Sequence, residues 1–281
     1  MSETPIFIKK YSGELEQFSF EKLKKSLQKS GTSSNDINSI IETITPQLYN
    51  GITSKEVYKK AFRLLKKSSR IYASKYSLKR AIFDLGPTGY PFERLIGALL
   101  KQKGYKTEIS VILQGECITH EIDVLAEKDG NVYTVECKFH SNIKTVSNVI
   151  IPLYINSRFL DVQKKWNANP NKKTFLKQGW LVTNTRFTKD AINYGKCAGL
   201  ILLSWNYPKN NGISNNIDQY SLYPITTLTS LTKREKKLLI EHDVILIKEL
   251  LEASLILKKL GFLDTKIRKA LSEAQDLCDL S

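Results

Sequence analysis

Two periods of apolar residues alternate along this chain of 281 residues, and the changes between them divide it into three segments. In 1–86 a short strand from Ile6 to Lys10 and a turn at Ser12-Gly13 lead into helices predicted around 19–30, 34–48 and 53–67, the last capped by Thr53 or Ser54. The densest group of chain breakers, Gly86-Pro87-Thr88-Gly89-Tyr90-Pro91, opens the second segment, 87–224. Its first element is a helix from Tyr90 to Gln102. Pro91 falls in the first turn, Gly104 lies past the end, and Phe92, Leu95, Ile96, Leu99 and Leu100 share one buried stripe.

Strand-like alternation follows. Ile118 to Ala126 and Val132 to Phe139 flank Lys128-Asp129-Gly130-Asn131, and Asp-Gly between two such runs predicts a tight antiparallel hairpin. A two-residue turn then sets Lys128 opposite Asn131, Asp123 opposite Glu136 and Glu121 opposite Lys138. Lys144 to Trp166 reads as one or two helices interrupted near Pro152. Trp180 to Thr183, a helix from Thr188 to Lys196, and Leu200 to Trp205 make a β-α-β unit that adds parallel strands. Past Tyr223-Pro224-Ile225 the third segment, 225–281, is almost continuous helix, around Thr232 to His242, Val244 to Lys259 and Thr265 to Asp279. The expected class is α/β, a mixed sheet flanked by helices, with a small mainly helical N-terminal domain and a helical C-terminal tail.

Composition narrows the function classes. At 41% hydrophobic and 25% charged the chain is globular, and no apolar run approaches the roughly 20 residues that cross a bilayer. The first residues lack an export pattern, so a soluble cytoplasmic protein with no membrane partner is expected. Cys117, Cys137, Cys197 and Cys278 include no C-x-x-C pair and read as buried thiols, neither zinc ligands nor disulfides. The net charge of +15 calls for a polyanion, most often nucleic acid. The three segments carry +8, +6 and +1, so the contact falls to the first two.

The predicted hairpin also carries chemistry. Tyr133, Val135, Cys137 and Phe139 share one strand face, while Glu136 and Lys138 share the other, beside Glu121 and Asp123. Directly opposed carboxylates repel, so the pair of Asp123 and Glu136 requires a proton or a cation between them. Magnesium fits, because two carboxylates plus substrate phosphate is its usual protein site. Glu93 sits on the rim of the helix stripe, within reach of a neighbouring cleft. Glu121 reads as a salt-bridge partner of Lys138, and His120 and His140 as packing or hydrogen-bonding residues. Arg158, Gln163, Lys164 and Lys165 offer a helix face for phosphates.

Together, Glu93, the Glu121-Ile122-Asp123 run and Glu136-Cys137-Lys138 resemble the PD-(D/E)xK nucleases, especially the Mrr-like restriction endonuclease group, although Ile122 stands where that family usually has proline. The resemblance implies a restriction endonuclease-like fold. It also implies Asp123 and Glu136 as ligands of Mg2+ or Mn2+, Lys138 as the residue that positions water, and Glu93 as a partner at the metal site. In 1–86, Lys9, Lys10, the Gly13 turn, Glu16 and Phe18, then Gly51 to Val57 and Tyr76 to Ile82, resemble the ATP-cone family. That implies bound ATP or dATP held by Lys9, Lys10, Glu16 and Thr53, with the two lysines nearest the phosphates. The break at His242-Asp243 faintly resembles a helix-hairpin-helix, and the tail otherwise suits packing or association into a homo-oligomer. The expected function is a magnesium-dependent DNA endonuclease regulated by ATP or dATP. The alternatives are a nucleotide-sensing DNA-binding protein that does not cut, a structure-selective resolvase, and an RNA-directed enzyme.

Overall fold

The computed structural model describes residues 5–10 and 13–279, so Tyr11 and Ser12 of the expected turn and nucleotide loop lie outside the described residues. A two-stranded ribbon, β1 (Phe7–Lys9) and β2 (Leu15–Gln17), precedes helices α1 (Phe20–Gln28), α2 (Ser34–Ile44) and α3 (Ser54–Ser68). Each helix starts where a side chain takes an otherwise unmet N–H: Ser19, Ser33 and Thr53 accept from the third residue beyond. At α3 the exchange is reciprocal, with Glu56 returning to the Thr53 N–H. Leu23, Leu27, Ile37, Ile40, Ile44, Val57, Ala61 and Leu65 close over one another as a separate small core.

Two short helices, α4 (Arg70–Tyr76) and α5 (Leu78–Phe83), follow, and the core changes hands between them. Ala73 packs with the first helices, whereas Leu78, Ile82 and Leu85 join α6 (Tyr90–Gln102). The expected helix α6 forms with its stripe buried. Phe92, Leu95, Ile96, Leu99 and Leu100 lie against one face of a five-stranded sheet of order β3-β4-β5-β6-β7. Its strands are β3 (Lys106–Gln114), β4 (Thr119–Lys128), β5 (Asn131–Lys138), β6 (Phe175–Thr183) and β7 (Ile201–Ser204). The first three are antiparallel and the last three parallel, which gives the expected mixed sheet. Between them run α7 (Ile150–Asn167) and α8 (Lys189–Cys197). Strand periodicity assigns the faces: Val182 and Leu203 turn toward α6, and their neighbours Leu181 and Leu202 turn toward α7 and α8.

Pro152 does not interrupt the expected helix. α7 is a single helix of 18 residues, and Pro152 falls in its first turn, where its missing N–H costs no intrahelical bond. Five elements escaped the pattern: β2, the short helices α4 and α5, the edge strand β3, and α9 (Ile213–Tyr220), whose sequence is mostly polar. After α10 (Lys233–Glu241), the helix expected from Val244 to Lys259 is broken into α11 (Ile247–Glu252) and α12 (Leu255–Lys259). Residues 244–246 are instead extended: Ile225 N–H donates to Ile245, Ile247 N–H donates to Tyr223, and Glu249 takes the Ile245 and Leu246 N–H groups. The last helix, α13 (Asp264–Asp279), lays Ala270, Ala274 and Leu277 into the same core as α6. The four cysteines are free, but none is fully buried; Cys117 and Cys197 are exposed, which corrects the expectation of buried thiols. Among the described residues no helix is long and apolar enough to cross a membrane.

Glu273 on α13 is only 3% exposed and ties the third segment to the first, accepting from the Ser74 hydroxyl and from the Thr229 and Ser230 N–H groups. Glu273→Ala strands these donors and is expected to cost about 2 kcal/mol, read as an earlier denaturant midpoint. An unchanged midpoint would show that water replaces the carboxylate freely.

Candidate active site

The hairpin places the site. Asp129 and Gly130 both have positive φ, 51° and 72°, as a two-residue turn of the tightest type demands. The register follows from it: Lys128 pairs with Asn131 and the ladder runs unbroken to Val124 and Val135. There it stops. The expected facing pairs of Asp123 with Glu136 and Glu121 with Lys138 do not form as ladder pairs. Instead the Asp123 carboxylate itself accepts the Cys137 N–H at 2.6 Å. On the other side of β4 the β3 ladder also skips Asp123; Ser110, which would face it, has φ of 53°. The carboxylate thus replaces a strand contact, and the sheet opens at this residue.

Acidic groups gather at the opening. Glu136 is 6% exposed, and burial followed by the negative charge of Asp123 pushes its carboxyl up to about 8. Glu93, in the first turn of α6, is pushed up to about 7 by burial, Asp123 and Glu121. Asp123 is raised by burial, opposed by the Cys137 N–H and by Arg158. Gly89 makes room for this grouping, since a Cβ there would stand 2.9 Å from a Glu93 oxygen. Lys138 follows at the end of β5 with its side chain exposed.

One cation enters from α7. Arg158 pairs with Glu136 at 3.2 Å, donates to the Glu121 carbonyl, and lies 5.5 Å from the centre of the Tyr154 ring. It was foreseen as a phosphate contact and is committed to the carboxylate instead. The other residues of that face diverge: Gln163 donates to the Leu176 carbonyl, Lys164 pairs with Glu116, and Lys165 is exposed. Arg158 does not satisfy its partner fully. Glu136 Oε1 and Arg158 Nε are buried with no hydrogen-bond partner, and Thr134 Oγ1 below them is also unmet. A buried carboxylate oxygen left bare beside two further carboxylates is what a cation would correct. Among the described residues no three His, Cys, Asp or Glu side chains are grouped so as to enclose an ion. Asp123 and Glu136 are the side chains whose oxygens a cation at this opening would meet.

His120 and His140 are both engaged in hydrogen bonds. His120 Nε2 lies 2.8 Å from Asp161 on α7, and Asp161 also accepts the Cys117 and Ile118 N–H groups, so this carboxyl is held well below its ordinary range and the β3-β4 turn is pinned to the helix. His140 N–H donates to Asn184, whose amide returns to the His140 carbonyl, while its ring meets Ser147 at 3.1 Å.

The expected nucleotide residues lie together near β1 but engage one another. Lys9 N–H donates to the Ile52 carbonyl and bridges to Thr53. Lys10 pairs with Glu16 at 2.9 Å and with Glu14 at 3.4 Å, and Glu16 also takes Lys22. The Thr53 hydroxyl is used in its cap with Glu56.

Similarity to known proteins agrees with the fold. The family described as AF1548-like, C-terminal, matches residues 223–278, from the last residues of the sheet segment through the helical tail. A protein of Archaeoglobus fulgidus, described as uncharacterized, is 35% identical over 178 residues, covering 63% of this chain and 96% of that protein. A crystal structure titled as the protein of unknown function AF1548 aligns with a TM-score of 0.57 and 33% identity, over 69% of this chain and all of that one. With a relative matched over nearly its whole length, and the tail matched separately, the chain belongs to the AF1548-like family.

Proposed function

We propose that this protein is a metal-dependent DNA endonuclease of the restriction endonuclease-like, PD-(D/E)xK kind. The observation that carries the reading is the bare, buried Glu136 oxygen beside Asp123 and Glu93, at the point where the sheet opens and next to the exposed Lys138. The residues fit a divalent ion: Asp123 and Glu136 would hold it, and their mutual repulsion is the energetic reason for them to do so. Such an ion supplies Lewis-acid polarisation of a phosphodiester. The chain supplies the rest. Lys138 directs its ammonium toward the attacking water and the phosphate, Glu93 holds or releases a proton near neutral pH, and Arg158 fixes the Glu136 carboxylate. The basic excess of the first two segments gathers the polyanion.

Regulation by ATP or dATP belongs to the same proposal and is supported by the ATP-cone resemblance of 1–86. A nucleotide at Lys10 would compete with Glu14 and Glu16 for its ammonium. The reading of a nucleotide-sensing DNA-binding protein that does not cut is favoured by one observation: Arg158 already offsets part of the Glu136 charge without a metal.

Purified protein incubated with plasmid, linear and branched DNA and with RNA, with and without Mg2+ and ATP, separates these readings. Lys138→Ala is expected to cut about 100-fold more slowly at unchanged DNA affinity. Binding without magnesium-dependent cleavage on every substrate would establish the non-cutting alternative.

A further inference from the structure

We propose that a cleft at the carboxyl ends of β6 and β7 receives one unpaired nucleotide of a nucleic-acid strand, its base against aromatic rings and its phosphate on Lys79 and Arg186. The proposal rests on the nucleic-acid half of the reading above, not on cleavage. The cavity measures about 550 Å3, between the N-terminal segment and the sheet. Phe83, Phe187, Trp205 and Tyr207 supply ring surface, and Thr185 and Ser204 stand where the strands end. Carboxyl ends of parallel strands are where open α/β sheets bind ligands.

Charge decides the ligand. Among the described residues no aspartate or glutamate lines the cavity, although four basic side chains do. One of them, Lys10, is already offset by Glu14 and Glu16. Lys79 is different: its ammonium lies 6.0 Å from the centre of the Trp205 ring, and burial together with the neighbouring Arg186 holds its pKa below the ordinary lysine value. Two like charges drawn together in a partly desolvated, ring-lined cleft are costly until an anion arrives. An anion that also presents a flat apolar face matches both features, and bases stack on aromatic rings regardless of sequence.

Size and position decide its form. A base pair stacked within a duplex does not enter a cavity suited to a single small ligand, whereas a nucleotide taken out of the stack does. In the sheet Lys138 pairs with Thr183, and Thr183 with Ser204, so the cleft begins two strand spacings, about 10 Å, from the lysine of the proposed site. One short stretch of strand spans both.

Fluorescence anisotropy of the full chain in EDTA, where no cleavage occurs, tests the proposal. The ligands are a paired duplex, the same duplex with one unpaired nucleotide, a single strand of equal length, and ATP alone. The parent is expected to bind the single strand and the bulged duplex about tenfold more tightly than the paired one. Arg186→Ala and Trp205→Leu should each remove most of that preference, Trp205→Phe should restore it, and the paired duplex should bind all of them alike. Arg186 is exposed, so its alanine variant is expected to melt with the parent. Equal affinity of the parent for paired and unpaired DNA, or a preference that survives both variants, would overturn the proposal. Because cutting is not measured, loss of the nuclease reading alone would leave these affinities unchanged.

Discussion

Asp123→Asn is expected to reduce magnesium-dependent DNA cleavage by at least about 10³-fold while leaving the protein folded and bound to DNA. The substitution is chosen for what it keeps. An asparagine oxygen still accepts the Cys137 N–H that the Asp123 carboxylate takes at 2.6 Å, so the parting of β4 and β5 survives. What it removes is the negative charge that, with Glu136, would hold the ion. The expected signature is therefore a fall in rate with little change in melting temperature, and with DNA affinity in EDTA unchanged. Cleavage at the parental rate would remove Asp123 from the site, and with it the proposed chemistry.

The second large effect is a dependence of stability on pH in the absence of metal. Glu136 titrates in the folded protein near 8, against 4.5 for an ordinary glutamate, because burial and Asp123 disfavour its charged form. Between these values the folded chain binds the proton and the unfolded chain has lost it. Stability is therefore greatest on this account at and below about pH 4.5, falls as pH rises, and levels off above about pH 8. The expected loss across the window is about 5 kcal/mol, with Glu93 and Asp123 titrating as partners in the same steps. Urea denaturation in EDTA across this range reads it directly. Glu136→Gln should flatten the curve, and magnesium should recover stability at the alkaline end while doing little at the acid end. A parent curve already flat in EDTA would mean that water reaches Glu136 freely.

Much of this site was legible because it obeys short-range rules. Asp129-Gly130 fixed the hairpin register, the stripe from Phe92 to Leu100 fixed α6, and these two elements carry Glu93, Asp123, Glu136 and Lys138. The expected hairpin register failed from Asp123 onward, where a side chain supplanted the ladder; Ser110 with its positive φ gives no sign of this in sequence. Arg158 was visible as a charge but not as the partner of Glu136, since the contact crosses from α7 to β5 over 22 residues of chain. Edge strand β3 was hidden because Val111, Ile112 and Leu113 run together and Ile112 stays 74% exposed, so no clean alternation marks it. The extended stretch at 244–246, which delays the start of α11, came from tertiary pairing of Pro224 with Leu246, which no local propensity announces.

The shared core has a practical side. Because Leu78, Ile82 and Leu85 share one core with α6, and Ile245, Leu250 and Ala274 belong to that same core, a shortened polypeptide that starts at Gly86 or ends near Pro224 would carry an uncovered oily flank. Proteolytic nicking is thus expected to yield a stable large fragment only when the scissors fall ahead of Leu78, in the stretch where the first bundle hands over to the second.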